Sequence, residues 1–198
     1  MNPAPRREAI TGLVLCGGRG TRMGGVEKAL VPWAGRPLLA QVLERLVPQV
    51  GGVALNVNRE AARYAGFGLP LWSDADDSLP GPLAGWQAAL GRMPTEWLLS
   101  VPCDTPGLPT DLAERLAAPL AGPGAPPLAI ATTADGPQPV FALLHRSLAP
   151  AVAAALTRGE RGVQRFARTL GAAEVHFADA AAFADLDTPE DLARLAPR

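Results

Sequence analysis

Apolar residues along this chain follow two rhythms in turn. Short continuous apolar runs, "TGLVLC" at 11–16 and "EWLLSV" at 96–101, have the composition of strands buried on both faces of a parallel sheet. Between such runs the apolar residues are spaced by three and four. Leu38, Leu39, Val42, Leu43, Leu46 and Val47 fall on one face of a helix over 38–47. "GGVALNVN" (51–58) predicts a second strand, followed by a polar helix near 59–65 and a short strand, "LPLW". "GPLAGWQAALGRM" (81–93) predicts a helix opened by Gly-Pro, and "LPTDLAERLAAPL" a helix with Pro and Asp in its first turn. "PLAIATT" and "PQPVFALLH" predict a strand pair, "SLAPAVAAAL" and "VQRFARTL" helices, and "AEVHFA" a late strand. "TPEDLARL" closes the pattern as a helix with Thr188 as cap and Pro189 at its first position.

Strands alternating with helices at this spacing predict an α/β fold, a mostly parallel sheet covered on both faces. Right-handed crossovers then bring the loops that follow the parallel strands to one rim, where open α/β sheets bind ligands. A length of 198 residues fits a single domain over 1–198. "PLAGPGAPPLA" (119–129) reads as a turn region between elements, because Pro and Gly remove donors and helical geometry.

Composition narrows the function classes. A formal net charge of −1 argues against a nucleic-acid binder that works by bulk electrostatics. "MNPAPRREAI" lacks the apolar stretch of a secretory signal, and no apolar run approaches the roughly 18 residues of a membrane helix. Cys16 and Cys103 make neither a disulfide framework nor a zinc motif. A cytoplasmic, reducing setting without membrane contact is the expectation.

Candidate chemistry lies after the strands. "LCGGRGTRMGGVEKAL" (15–30) follows the first strand and holds Lys28, the one lysine among 18 Lys+Arg positions. Neither GxGxxG nor the Walker pattern fits, since Met23 and Val26 stand where each needs another residue. Even so, glycines let a backbone approach a polyanion and successive N–H groups form an anion nest, with Arg19, Arg22 and Lys28 supplying charge. Asn56 and Asn58 follow the second strand, as nucleotide-reading amides or as turn residues. Asp74, Asp76 and Asp77 crowd the next loop. Asp104, in "PCDTP", directly follows a buried strand, which suits a Mg²⁺ ligand or a turn aspartate. Asp185 and Asp187 alternate late in the chain, as further metal ligands or as neighbours of the last cap. His145 and His176 sit in apolar runs, and no GxSxG or Ser/His/Asp arrangement stands out. Chemistry without a protein nucleophile fits this inventory. An acceptor phosphate is already ionised at neutral pH and needs positioning and charge neutralisation more than a general base.

Taken in order, "LVLCGGRGTRMGGVEKALVPWAGRPLL", "NVNR", "PGPLAG", "VPCDTPGLP", "QPVFALLH", "RGERGVQRF" and "FADLDTPEDL" resemble the molybdenum cofactor guanylyltransferase family, from about residue 11 to 195. The resemblance implies a Rossmann-like three-layer α/β/α nucleotidyltransferase fold with a mostly parallel sheet. It implies transfer of GMP from GTP to the terminal phosphate of molybdopterin or its molybdenum-loaded form, with Mg²⁺ as cofactor. Carried over by motif position, Leu15, Cys16 and Gly17 would contact GTP and Gly18 would extend the loop. Lys28 would hold the phosphates, and Asn56 and Asp74 would contact the nucleotide, Asp74 being placed by counting back from "PGPLAG". Asp104 would bind Mg²⁺ beside GTP, and Arg22 would stabilise transition-state charge. Cofactor-delivery or acceptor proteins are further implied partners.

Three departures stand out: "LCGG" where "LAGG" is usual, Glu27 where an aspartate commonly precedes the lysine, and "DLDTPE" for "NxNTPE". The last leaves the roles of Asp185 and Asp187 open. Rival readings are a CTP-dependent cytidylyltransferase acting on the same pterin, a sugar-phosphate nucleotidyltransferase, and a nucleotide-binding module without catalysis.

Overall fold

The computed structural model of the chain describes residues 4–16, 27–75, 81–186, 188 and 191. These form a seven-stranded sheet and a small two-stranded hairpin. The main sheet is built from β1 (Ile10–Leu15), β4 (Gly52–Asn56), β5 (Leu71–Trp72), β6 (Trp97–Pro102), β7 (Leu128–Thr133), β8 (Gly136–His145) and β9 (Ala173–His176). Their spatial order is β5-β4-β1-β6-β8-β7-β9. β8 alone runs against the others; it pairs antiparallel with both β6 and β7. The expected mostly parallel sheet and the strand pair over 128–145 are both present.

Each strand alternates its side chains between two cores. Ile10, Val14 and Cys16 face one cluster and Leu13 the other; Leu99, Val101 and Cys103 match the first, Leu98 the second. The first core is closed by α1 (Leu38–Leu46) and α3 (Leu112–Ala117), the second by α2 (Pro82–Leu90), α4 (Ala149–Thr157) and α5 (Val163–Thr169). Leu39, Val42 and Leu46 of α1 are fully buried, each contributing about 1.5–3 kcal/mol on transfer from water. Val47, expected on that face, is instead exposed, because the chain passes there into a short 3-10 turn, Val47–Gln49.

Three other boundaries differ from expectation. The region near 59–65 is a 3-10 helix, Ala61–Phe67, rather than an α-helix. Pro109 lies before α3, and Asp111 is its cap position, so neither stands inside the first turn. The hairpin of β2 (Pro32–Trp33) and β3 (Arg36–Pro37) turns at Ala34 and Gly35, both with positive φ, as a type I′ turn requires. Of the last predicted helix, Thr188 and Asp191 are described. The Asp191 N–H donates to Thr188 Oγ1 at 3.1 Å, and Thr188 N–H returns a bond to Asp191 Oδ2 at 3.0 Å, the reciprocal pair of a capping box.

Chain order fixes where a ligand can sit. From β1 the chain crosses to β4 and β5 on one side, passing α1, then returns past α2 to β6 on the other side of β1. The reversal leaves a crevice at the carboxyl ends of β1 and β6.

Candidate active site

β1 and β6 pair in parallel from Ile10↔Trp97 to Leu15↔Pro102, so Cys16 and Cys103 leave the sheet side by side. Both thiols are buried and face the first core rather than the rim. The Cys103 side chain, hydrogen-bonded to it, and burial hold the Cys16 thiol well above its ordinary range. Cys16 is tied to the sheet through its backbone: its N–H donates to Asn56 O at 2.9 Å, continuing the β1–β4 ladder.

Asp104 stands one residue beyond Cys103, at the crevice. Its Oδ2 accepts from Lys28 Nζ at 2.5 Å, across 76 positions of sequence. Both side chains are about one-sixth exposed, at 16% and 17%, so the pair is accessible yet shielded. Lys28 opens a single 3-10 turn, Lys28–Leu30, behind Glu27. Glu27 is itself buried, and Tyr64 Oη donates to its Oε2 at 2.8 Å from a fully buried ring. Burial, with the nearby Cys16 and Glu27, pushes the Tyr64 hydroxyl well above its usual range. The acidic residue before the lysine is thus an anchor that pins the end of the glycine-rich segment to the core.

On the other side of Asp104, the fully buried Thr105 donates through Oγ1 to Asp185 Oδ1 at 3.0 Å, and Leu186 N–H donates to Asp104 O at 3.0 Å. The late segment carrying Asp185 is therefore docked on the Asp104 loop.

A second group lies across the rim. Asn56 ends β4 and is 3% exposed. Its Nδ2 donates to Trp72 O at 2.9 Å and to Asp74 Oδ1 at 2.8 Å. Asn58 Nδ2 donates to Asp74 Oδ2 at 2.7 Å, and Asp74 N–H donates to Asn58 Oδ1 at 2.8 Å. The pairing of Asn56 with Trp72 in the β4–β5 register brings these residues together. Below them, α2 begins after Gly81, whose φ of 137° is open only to glycine, and presents Gly85 to Leu15 and Asn56. A Cβ on Gly85 would lie 2.6 Å from Leu15 Cδ2 and 2.8 Å from Asn56 Oδ1.

Of the residues singled out in the sequence, Lys28 and Asp104 form one half of the rim and Leu15, Asn56 and Asp74 the other. Cys16 lies between them, its sulfur turned into the core. Gly17, Gly18, Arg19, Arg22, Asp76, Asp77, Asp187 and Pro189 lie outside the described residues. His145 bonds Ser147 Oγ at 2.8 Å and stacks edgewise on Trp97, away from the rim at the opposite end of β6. Asn58, open in the sequence between a turn residue and a nucleotide-reading amide, joins this group, and Thr105, Tyr64 and Gly85 join the site with no motif to mark them. The spacing of Asn56 and Asn58 by two after a strand is the one signal that pairs the asparagines.

Comparison with known proteins follows the same outline. Residues 12–175 match the family described as the MobA-like NTP transferase domain. A molybdenum cofactor guanylyltransferase of Cupriavidus necator is 45% identical over 191 residues, covering 94% of this chain and 96% of that protein. One from Bordetella pertussis is 44% identical over 189 residues, with the same coverage. Among solved structures, the molybdopterin-guanine dinucleotide biosynthesis protein A of Archaeoglobus fulgidus shares the fold, with a TM-score of 0.73 at 24% identity over 94% of this chain and 96% of that one. The strand reversal at β1/β6 agrees with a family match over most of the chain and with relatives at this identity: the chain belongs to the MobA-like NTP transferase family, alongside the molybdenum cofactor guanylyltransferases.

Proposed function

We propose that the protein transfers GMP from GTP to the terminal phosphate of molybdopterin or the molybdenum cofactor, releasing pyrophosphate. The observation that carries this reading is the Lys28–Asp104 pair at the crevice, a cation and a carboxylate held together on a rim that continues to a clamped carboxylate at Asp74. The full-length relatives named guanylyltransferases support guanine over cytosine.

In the reaction an oxygen of the acceptor phosphate attacks the α-phosphorus of GTP, and the bond to the oxygen bridging the α- and β-phosphorus breaks. The leaving pyrophosphate carries the electron pair. Lys28 supports that step by neutralising phosphate charge from a compact ammonium at the end of a flexible stem. Tyr64 and Glu27 keep its backbone in place. Among the described residues Asp104 Oδ1 meets only Thr105 Oγ1, at 3.5 Å, and a carboxylate is a hard oxygen donor of the kind magnesium takes together with substrate phosphates, so Asp104 fits Mg²⁺. A bound Mg²⁺ would supply charge neutralisation on the triphosphate. By motif position Arg22 belongs at the phosphates, where it would stabilise transition-state charge. Asp74, a double acceptor, is assigned to the guanine edge, where N1–H and the 2-amino group are adjacent donors.

Three strand spacings separate β6 from β5, about 14 Å along the rim, the scale of a nucleotide laid out from phosphates to base. The test is pyrophosphate release with molybdopterin and each of the four NTPs. GTP is expected to be the fastest. Faster release with CTP, or GTP binding without release, would overturn the reading.

A further inference from the structure

We propose that Asn58 is a positioning residue for guanine selection, holding the Asp74 carboxylate in the one orientation that accepts both donors of the guanine edge. The inference rests on the GTP reading above and adds the group that makes the base contact selective.

Asn56 cannot read the base with its amide hydrogens. Both are used, one on Trp72 O and one on Asp74 Oδ1, and the side chain is buried over Gly85. Base reading on this side therefore falls to Asp74. A carboxylate has about four acceptor positions, two per oxygen. The two asparagines take one on each, which leaves an acceptor position on each oxygen for a pair of neighbouring donors. That pair matches guanine, whose N1–H and 2-amino hydrogens lie side by side. Adenine and cytosine present a donor beside a ring-nitrogen acceptor, so one carboxylate oxygen would face a lone pair.

The backbone around Asp74 gives it little orientation of its own. β5 has two residues, paired to β4 at Leu55↔Leu71 and Asn56↔Trp72, and Asp74 lies beyond its end. Asn58 supplies what the strand does not. Its Oδ1 fixes the Asp74 N–H and its Nδ2 fixes Oδ2, so one side chain sets both the backbone and the carboxylate plane. With Asn56 alone, the carboxylate keeps a single bond and can turn about it.

The test compares GTP with ITP, which lacks the 2-amino group, in pyrophosphate release by the full-length protein with molybdopterin. The wild-type protein is expected to prefer GTP in kcat/KM by about 10- to 100-fold, the range for one hydrogen bond to a charged acceptor. Asn58→Ala is expected to raise the GTP KM about 10-fold with kcat within about threefold, because the base lies far from the reacting phosphorus. ITP should lose far less, so the GTP/ITP ratio collapses to a few-fold. Asn58→Asp keeps the size and the acceptor for Asp74 N–H, and it replaces the donor to Oδ2 with a like charge that repels the carboxylate. It should collapse the ratio equally, and it stands in if the alanine variant does not fold. A GTP/ITP ratio within twofold of wild type in a folded variant overturns the proposal, whatever the fall in total activity. A wild-type protein that does not distinguish GTP from ITP removes the Asp74 assignment instead. A ratio lost in Asp74→Asn but kept in both Asn58 variants overturns the role of Asn58 alone.

Discussion

Replacing Gly85 by alanine sets two effects of similar size against each other. Gly85 lies inside α2, where alanine is favoured by about 1 kcal/mol on helix propensity. On an exposed helix the change would stabilise. Here the new methyl would stand 2.6 Å from Leu15 Cδ2, 2.8 Å from Asn56 Oδ1 and 3.1 Å from Asn56 Cγ. Leu15 is only partly buried and its terminal methyl can retreat. Asn56 cannot do so freely, because its amide is bonded to Trp72 O and Asp74 Oδ1. Overpacking of this kind costs about 1–3 kcal/mol, enough to cancel or exceed the propensity gain. Net stability should fall by about 0–2 kcal/mol, read as the urea midpoint at unchanged slope. The larger consequence is local. A hydrogen bond to a charged group is worth about 1.5–3 kcal/mol, so an Asn56 pushed off Asp74 should raise the KM for GTP by about tenfold or more. A variant stabilised by about 1 kcal/mol with a wild-type KM would refute the close approach of α2 to the rim.

The remaining predictions concern the crevice and the core beneath it. Asp104→Asn should lower turnover by at least about 100-fold in pyrophosphate release; near-normal turnover would count against Asp104 as the metal-binding carboxylate. Lys28→Arg keeps the charge but puts a planar fork where a compact ammonium meets Asp104, so the fold should persist by circular dichroism while transfer falls; wild-type kinetics would mean the lone lysine has no special role. The raised Cys16 thiol implies a loss of stability at alkaline pH. The unfolded thiol ionises near its ordinary value of 9.0 while the folded one holds its proton, so the unfolded state binds fewer protons and stability falls as pH rises above about 9. Cys16→Ala should flatten that limb of a urea-midpoint profile, and an unchanged slope would contradict the burial of the thiol.

The elements legible in the sequence were those whose burial is uniform. β1 and β6 are apolar runs because both faces are covered, α1 shows its period because one face packs on a core, and α2, buried almost all round, is marked by its Gly-Pro opening. The β2–β3 hairpin was not legible. Its strands are two residues long, too short to alternate, and its turn uses Ala34 rather than an Asn or Asp before Gly35. Val47 kept the apolar period beyond the point where Pro48 turns the helix. In the site, Lys28 and Asp104 could be named singly, each by its place after a strand, but not as a pair, since their contact depends on β1–β6 register. The Asn56–Asp74–Asn58 clamp was hidden for the same reason: it exists only in the register of β4 with a two-residue edge strand.

Because its halves are so far apart in the chain, the rim also works as a check on folding. Lys28 and Asp104 meet only if β6 is aligned against β1 from Ile10↔Trp97 onward. A slip of one residue would send Cys103 and its neighbours to the opposite face, and the carboxylate would leave the crevice. A chain with that error can still bury most of its apolar surface, yet on the proposed function it forfeits the nucleotide. At a free ligand concentration of 100 times Kd, binding adds about 2.7 kcal/mol to the aligned state alone. On the proposed function, substrate present during refolding would favour the one strand alignment that brings Asp104 to Lys28.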